Sequence, residues 1–410
     1  MTMSRFSKYI LVLCVFAIVS CRSNVASVED TRYNISEALE NCADVPLSKY
    51  FSDIEYIPLE TNEKSSLMFV FDINTDGKYL YIYNANRPQS VLIFDQNGKY
   101  ISQINKSGRG PGEYLSASDF SLESDLVEQY ACLFDNYKIL VYEDDGKCVR
   151  ELDMQDVLSE NLDLNKSSFS GIYRGVYLNE GRYAVLCTGK REPDKKWSFS
   201  SSRLLVVDTL CNILKDENLE NKFSLNYGLF IHSYKGNLRL SKGLPADTIV
   251  FYDNNLKELS QITFDYSNSH GVKDEFITGI EHRWNIESDS FMLFKLDGRL
   301  KAMPKVFSKG WNTDGWHKDR VTCFLMLDKA SNKMCALPYN YEFNAHGFKN
   351  DIDGGAPFVP LRVVGNKMYQ AVNAMKFIEY ATKSNSPKMK EIAATLTEES
   401  NPVLVVATLK

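Results

Sequence analysis

Read for its alternation of apolar and polar positions, the chain is a succession of short strand-like runs with few helical stretches. The clearest block lies between Phe71 and Tyr114, FDINTDGKYLYIYNANRPQSVLIFDQNGKYISQINKSGRGPGEY. Four runs rich in β-branched and aromatic residues, VFDIN, YLYIYN, SVLIF and YISQI, are divided there by Asp-Gly, Asn-Arg-Pro and Asn-Gly. Turn-forming dipeptides between runs of this length predict an antiparallel meander.

The block recurs. With strands lettered a to d from the centre of a ring outward, Asp119 to about Leu152 supplies DFSLESD, QYACLFDN, KILVYEDDG and KCVREL in the same order. VLIFDQNGKYISQI and ILVYEDDGKCVREL are the clearest internal repeat: an apolar run, an acidic turn ending in Gly-Lys, then an alternating strand. A third unit holds GIYRGVYLNEGRYAVLCTGK and RLLVVDTLCNIL, and a fourth YGLFIHSYKGNLRLSKG and DTIVFYDNNLKELSQITF. The fifth holds Gly279 to Asp289, SFMLFKL, VTCFLMLD and KMCALP; the sixth holds PFVPLRVVGNKMYQAVNA and Pro402 to Lys410, without an outermost strand. Asp53 to Leu59 is an alternating strand with no hairpin partner nearby. A strand from one terminus can complete a sheet begun at the other, so the expectation is an all-β fold: a six-bladed β-propeller of four-stranded antiparallel blades over residues 46–410. Helix formers dominate Met375 to Ser400, which predicts a short helical insertion in the last blade, about 375–400.

Ahead of the repeats, Arg5 and Lys8 precede an apolar stretch, Tyr9 to Val19, too short to span a bilayer. It ends Ile18-Val19-Ser20-Cys21, small residues before a cysteine. Residues 1–21 therefore read as a lipoprotein signal peptide with Cys21 as the lipidated residue, and the polar residues 22–45 as a tether. The expected location is the bacterial cell envelope, lipid-anchored, with the outer membrane favoured and its face open. Removing Cys14 and committing Cys21 leaves seven of nine cysteines, an odd number that argues against a complete disulfide framework. Cys132, Cys148, Cys187, Cys211, Cys323 and Cys335 lie in or beside strand-like runs without CxxC spacing and read as small apolar residues. No metal or cofactor is expected. A net charge of −6 offers no electrostatic case for nucleic acid.

Candidate chemistry concentrates in the connections. In a four-stranded blade the b-to-c and d-to-a connections open on one face of the disc. The a-to-b and c-to-d turns here are short (NTDGK, DQNGK, EDDGK, DNNLK), whereas several b-to-c connections are long: Thr188 to Arg203, Ser241 to Asp247, about Leu300 to Arg320, and the helical insertion. Long loops on a rigid scaffold are where binding usually resides. Trp197, Trp311 and Trp316 all fall in them, and only Trp284 falls in a strand-like segment. Flat aromatic faces suit sugar rings, apolar groups and protein partners, although they also pin loops to a core. Arg87, Arg109, Arg191, Lys195, Lys196, Lys318 and Arg320 add positive charge to the same face. The expected ligand-binding set is Trp197, Trp311, Trp316, Arg87, Arg109, His317 and Arg320.

Linear catalytic motifs are missing. GRGPGEY, Gly108 to Tyr114, has no following helix and reads as tight backbone between blades rather than a phosphate cradle. Asn350-Asp351-Ile352-Asp353-Gly354-Gly355 lacks the full ligand series of a calcium loop and reads as a turn. The histidines at 232, 270, 282, 317 and 346 show no HExxH spacing, and no GxSxG occurs; His317, between Trp316 and Lys318, is the one to test as a base.

The signal with its cysteine, DIEYIPLET, LIFDQNGKYISQINKSGRGPGEY, NDIDGGAPFVP and the terminal NPVLVVATLK together resemble the six-bladed β-propeller lipoproteins of gut Bacteroidota, and more distantly NHL-type propellers. The resemblance spans nearly the whole mature chain. It implies fold and compartment more than activity, because that family is mostly of unassigned function. Three functions stay open: an envelope module binding glycans or peptides, an envelope lyase or hydrolase with its site at the channel mouth, and a scaffold subunit of an outer-membrane complex.

Overall fold

A computed structural model of the chain describes residues 29–67, 70–86, 88–124, 129–161, 171–189, 202–219, 229–242, 247–266, 276–280, 285–299 and 321–410. The strands assemble into a six-bladed β-propeller. Blade 1 runs Asp72–Thr75, Tyr79–Asn84, Ser90–Asp95 and Tyr100–Ile104, each strand antiparallel to the next. Blade 2 (Asp119–Asp153), blade 3 (Gly171–Leu219) and blade 4 (Leu229–Asp265) repeat this order. In blade 5 the innermost position is shared by Phe276–Ile280 and Ile286–Glu287, both paired with Phe291–Arg299.

Blade 6 closes the ring as the orphan strand predicts. Phe51–Pro58 lies antiparallel to Val403–Leu409 as the outermost strand, beyond Lys367–Val372 and Arg362–Val364. Blade 1 adds a hold on this strand through its Asn-Gly turn. There Gly98 has φ +83°, and a Cβ on it would stand 2.2 Å from the Pro58 carbonyl oxygen, so no side chain fits. Beside it the Glu60 amide donates to the Gly98 carbonyl at 2.8 Å.

Period-two patterning explains why so many runs are apolar throughout. In blade 1, Leu80 and Ile82 pack with Tyr369, Leu404 and Val406 of blade 6. Their neighbours Tyr81 and Tyr83 point the other way, against Phe120, Leu133 and Tyr142 of blade 2. A strand buried on both faces carries few polar residues. The core is therefore divided among the seams between adjacent blades.

Residues 22–45, expected as a tether, are in part folded. Glu29–Asn34 forms a strand parallel to the outermost strand of blade 4, Glu258–Asp265, and Ile35–Glu40 forms a helix. The helix signal is present in the sequence: Asn34 caps the N-terminus by accepting from the Glu37 amide at 3.1 Å, and an acidic residue in the first turn complements the helix dipole. The chain then runs past blade 5, where the Ala43 amide donates to the Ala336 carbonyl at 3.1 Å, and enters blade 6. The insertion expected at about 375–400 contains two helices, Ala374–Lys383 and Pro387–Ala393, capped by Asn373 and Ser386.

Deleting residues 46–60 removes the closing strand and leaves the Val403–Leu409 edge unpaired. The expected outcome is loss of the cooperative melt and aggregation on size-exclusion chromatography. A monomer with unchanged melting temperature would contradict closure by this strand.

Candidate functional site

The innermost strands of all six blades meet at the axis, and the first residues of several of them are polar. Asp72, Asp119, Arg174, His232, Asn285 and Arg362 come from blades 1, 2, 3, 4, 5 and 6 in turn, and with Phe71, Phe230, Ile231 and Leu361 they line a cavity of about 60 Å³. Asp72, Asp119 and Arg362 begin their strands. They are therefore reached directly from d-to-a connections, so this is the channel mouth on the face carrying the long loops.

Charge pairing shapes the mouth. Arg362 Nε donates to Asp72 Oδ1 at 2.7 Å, and its Nη2 bonds the other carboxylate oxygen, a two-point pair across the seam between blades 6 and 1. Arg174 donates from Nη1 to the Ser118 carbonyl of blade 2 at 2.9 Å and lies 4.9 Å from the Phe230 ring centroid of blade 4. Asp119 is held by the Phe120 amide at 3.0 Å. Burial nonetheless pushes its carboxyl above the ordinary range, against the pull of Arg174. Burial moves His232 the opposite way, favouring the neutral imidazole. Arg174 Nε and His232 Nε2 are buried and reach no hydrogen-bond partner among the described residues. Of the two, His232 Nε2 is turned toward a carboxylate of blade 5, 3.9 Å away, so the Arg174 Nε is the nitrogen the mouth leaves for whatever enters it.

Deeper in the channel sits Glu287 of blade 5, buried. It accepts from Arg239 Nε of blade 4 at 3.0 Å and from Lys329 Nζ at 3.0 Å, and His232 Nε2 stands 3.9 Å away, too far for a hydrogen bond. Burial alone pushes the Glu287 carboxyl up. Arg239 and Lys329, positively charged and hydrogen-bonded to it, outweigh burial and hold the value down to about 2. This carboxylate is fixed in its ionised form and joins blades 4 and 5.

Of the residues expected to bind ligand, only Arg109 is described. Arg87, Trp197, Trp311, Trp316, His317 and Arg320 fall outside the described residues, as do Trp284 and Cys21. Arg109 is described and exposed on the connection between blades 1 and 2. The GRGPGEY segment around it has a structural role: Tyr114 is buried and donates to the Gln89 carbonyl at 2.6 Å, while Tyr142 donates to the Gly112 carbonyl at 2.9 Å. Asp353, in the calcium-like segment, spends its oxygens on Tyr56, Asn350, Ser386 and the Gly355 amide, which makes the segment a turn. Cys132, Cys187 and Cys323 are buried, whereas Cys148, Cys211 and Cys335 are partly exposed. The channel cluster was not found from sequence, since Asp72 and Arg362 are 290 residues apart. A signal does exist: blades 1 and 2 both open their innermost strand with an aspartate, Asp72 and Asp119.

A family profile described as a domain of unknown function, DUF4934, matches residues 30–408. Among solved structures, a Bacteroides fragilis protein described as exported is 15% identical with a TM-score of 0.62, covering 93% of this chain and 99% of its own. A DUF4221 family member from Bacteroides vulgatus is 14% identical with a TM-score of 0.43, covering 88% of this chain and 97% of its own. The likeness to the Bacteroides fragilis protein is one of fold. None of the curated proteins compared with the chain matches it.

The Glu287 cluster sets a pH dependence. Its folded-state value of about 2 lies below the ordinary 4.5. The stabilisation is therefore fully present above about pH 4.5 and is lost as pH falls toward about 2, with a size on the order of 3 kcal/mol. Glu287→Gln should lower unfolding free energy by about that amount at pH 7, and the gap from wild type should narrow sharply by pH 3. Denaturant titrations at the two pH values measure it; a gap independent of pH would refute the assignment.

Proposed function

We propose that this chain, which belongs to the DUF4934 family, is an interaction module of the cell envelope, lipid-anchored through Cys21, that presents one face of its ring to a glycan, peptide or protein partner. The observation that carries the reading is the strand order. Residues 189–201 connect Tyr183–Thr188 to Ser202–Val207, residues 300–320 connect Phe291–Arg299 to Val321–Asp328, and residues 373–402 connect Lys367–Val372 to Val403–Leu409. All three are b-to-c connections, on the side of the channel mouth. Trp197 belongs to the first, and Trp311, Trp316, His317 and Arg320 to the second. In sequence Arg87 falls between Tyr79–Asn84 and Ser90–Asp95, and Arg109 on the next d-to-a connection, which supports a reading in which aromatic and cationic groups act together on that side. A rigid ring with variable loops on one side is suited to recognition. The exported Bacteroides protein of like fold is in keeping with an envelope location.

A second reading has its own observation. Asp119 with a raised carboxyl pKa and His232 held neutral line one cavity, and titratable groups perturbed by burial in a cleft are the raw material of acid–base catalysis. This favours an envelope lyase or hydrolase at the channel mouth as the alternative. Turnover of an envelope glycan that is abolished in both Asp119→Asn and His232→Ala would establish it over the binding reading.

Replacing Trp197, Trp311 and Trp316 singly by Ala should weaken binding to envelope glycans or a partner by a few kcal/mol at the central positions, with melting temperature nearly unchanged. A stability loss of about 3 kcal/mol or more for each would instead assign them to the core. Cys21→Ala should abolish labelling by a fatty-acid probe and release the protein from the membrane fraction; persistent labelling contradicts the anchor.

A further inference from the structure

The same face carries a second, larger cavity, on the connection between blades 5 and 6. The connection from the outermost strand of blade 5, Lys333–Leu337, to the first of blade 6 folds into a small hairpin, Tyr339–Asn340 against Ala345–His346. Between this hairpin, the 347–357 segment and Asn385 of the helical insertion lies a pocket of about 410 Å³. That volume is within the roughly 300–1,000 Å³ of small-molecule sites.

The lining combines two kinds of surface. One wall is aromatic: Tyr339 is half-buried, set 4.9 Å from the His346 ring and edge-on to the exposed Tyr341 at 4.9 Å, and Phe343 packs on Tyr380 behind it. Neighbouring residues hold Tyr339 in place on two sides while it still lines the cavity. The other wall is amide and backbone. Asn340 uses its side-chain oxygen on the Glu342 and Phe343 amides, at 3.0 and 3.1 Å, which leaves its NH₂ group as the donor it can offer a ligand. Asn385 is exposed at the rim, against Gly354, whose carbonyl accepts from its amide at 3.0 Å. Gly347 and Gly355, both buried, border it with main chain, and neither tolerates a side chain: a Cβ would stand 2.4 Å from the Phe358 carbonyl oxygen or 2.3 Å from the Tyr56 hydroxyl. Asp44 and Lys349 bring one charge of each sign, so the pocket carries no net charge.

An aromatic wall facing amides, in an electrically balanced pocket, matches a ligand with an apolar C–H face on one side and hydroxyl or amide groups around its edge. We infer that this pocket is a subsite for a short neutral saccharide, stacked on Tyr339 and hydrogen-bonded by Asn340 and Asn385. The inference rests on the interaction-module reading and names a ligand class and a place for it. Tyr339 supplies the stacking face, the amides select hydroxyl or acetamido groups, and the charge balance gives no advantage to an acidic sugar.

The test is titration of the full mature chain with cellobiose, N,N′-diacetylchitobiose and glucuronic acid, by saturation-transfer NMR and calorimetry. At least one neutral disaccharide should bind, with glucuronic acid at least tenfold weaker. Tyr339→Ala should lower affinity at least tenfold and Asn385→Ala several-fold, whereas Tyr339→Phe, which keeps the stacking face, should retain it. Asn385 is exposed, so its variant keeps the test valid if Tyr339→Ala unfolds. Saccharide binding that survives the Tyr339 and Asn385 changes but is lost in Trp311→Ala overturns this pocket and leaves the interaction module standing. Binding of an envelope peptide or protein with no saccharide binding does the same. If nothing binds, both fall.

Discussion

The propeller depends on one contact between the ends of its repeat array, the row of backbone hydrogen bonds joining Phe51–Pro58 to Val403–Leu409. The apolar side chains are not stored in one central mass. They are shared across seams, with Leu404 and Val406 facing blade 1 while Val405 and Ala407 face the blade 5 side with Phe51 and Ile54. An open ring would expose the halves of a seam at once, and no rearrangement within a single blade could cover them. Closure thus converts six marginal sheets into one cooperative unit, since a lone four-stranded blade buries too little surface to stand alone.

Polar ties reinforce the seams where the strands diverge. Tyr81 of blade 1 donates to Asp144 of blade 2 at 2.6 Å, Arg150 of blade 2 pairs with Glu123 beside Tyr183 of blade 3, and Tyr252 of blade 4 donates to Glu217 of blade 3 at 2.8 Å. Tyrosine serves this role because its ring fills the seam while its hydroxyl reaches a carboxylate at the rim. The abundance of tyrosine in the chain has a structural cause here. At the axis, Arg362 with Asp72 and Arg239 with Glu287 extend the same device, so much of the channel's charge maintains the ring.

Blade order, closure and the helical insertion were legible because period-two runs and Asn-Gly or Asp-Gly turns are local signals. Residues 29–40 were not read, as their strand has no hairpin partner in sequence and pairs with residues 260–265. The Asn34 to Glu37 cap was the available clue. The channel cluster escaped for a related reason. It draws single residues from six blades, and each alone looks like an ordinary polar residue in or beside a strand. Tyr339, Asn340 and Asn385 likewise meet only because the last blade's insertion folds back beside the blade 5 connection.

The course of the N-terminal segment has a mechanical consequence. Glu29–Asn34 lies along the rim of blade 4, the chain then touches blade 5 at Ala336, and only afterwards does it become the closing strand of blade 6. A pull on the chain ahead of residue 29 is therefore borne first by the six-residue parallel pairing with blade 4, whose bonds share the load when tension runs along the strand. The closing strand feels no tension until that pairing yields. The segment works as strain relief, of the kind that keeps a tug on a cable from reaching its connector.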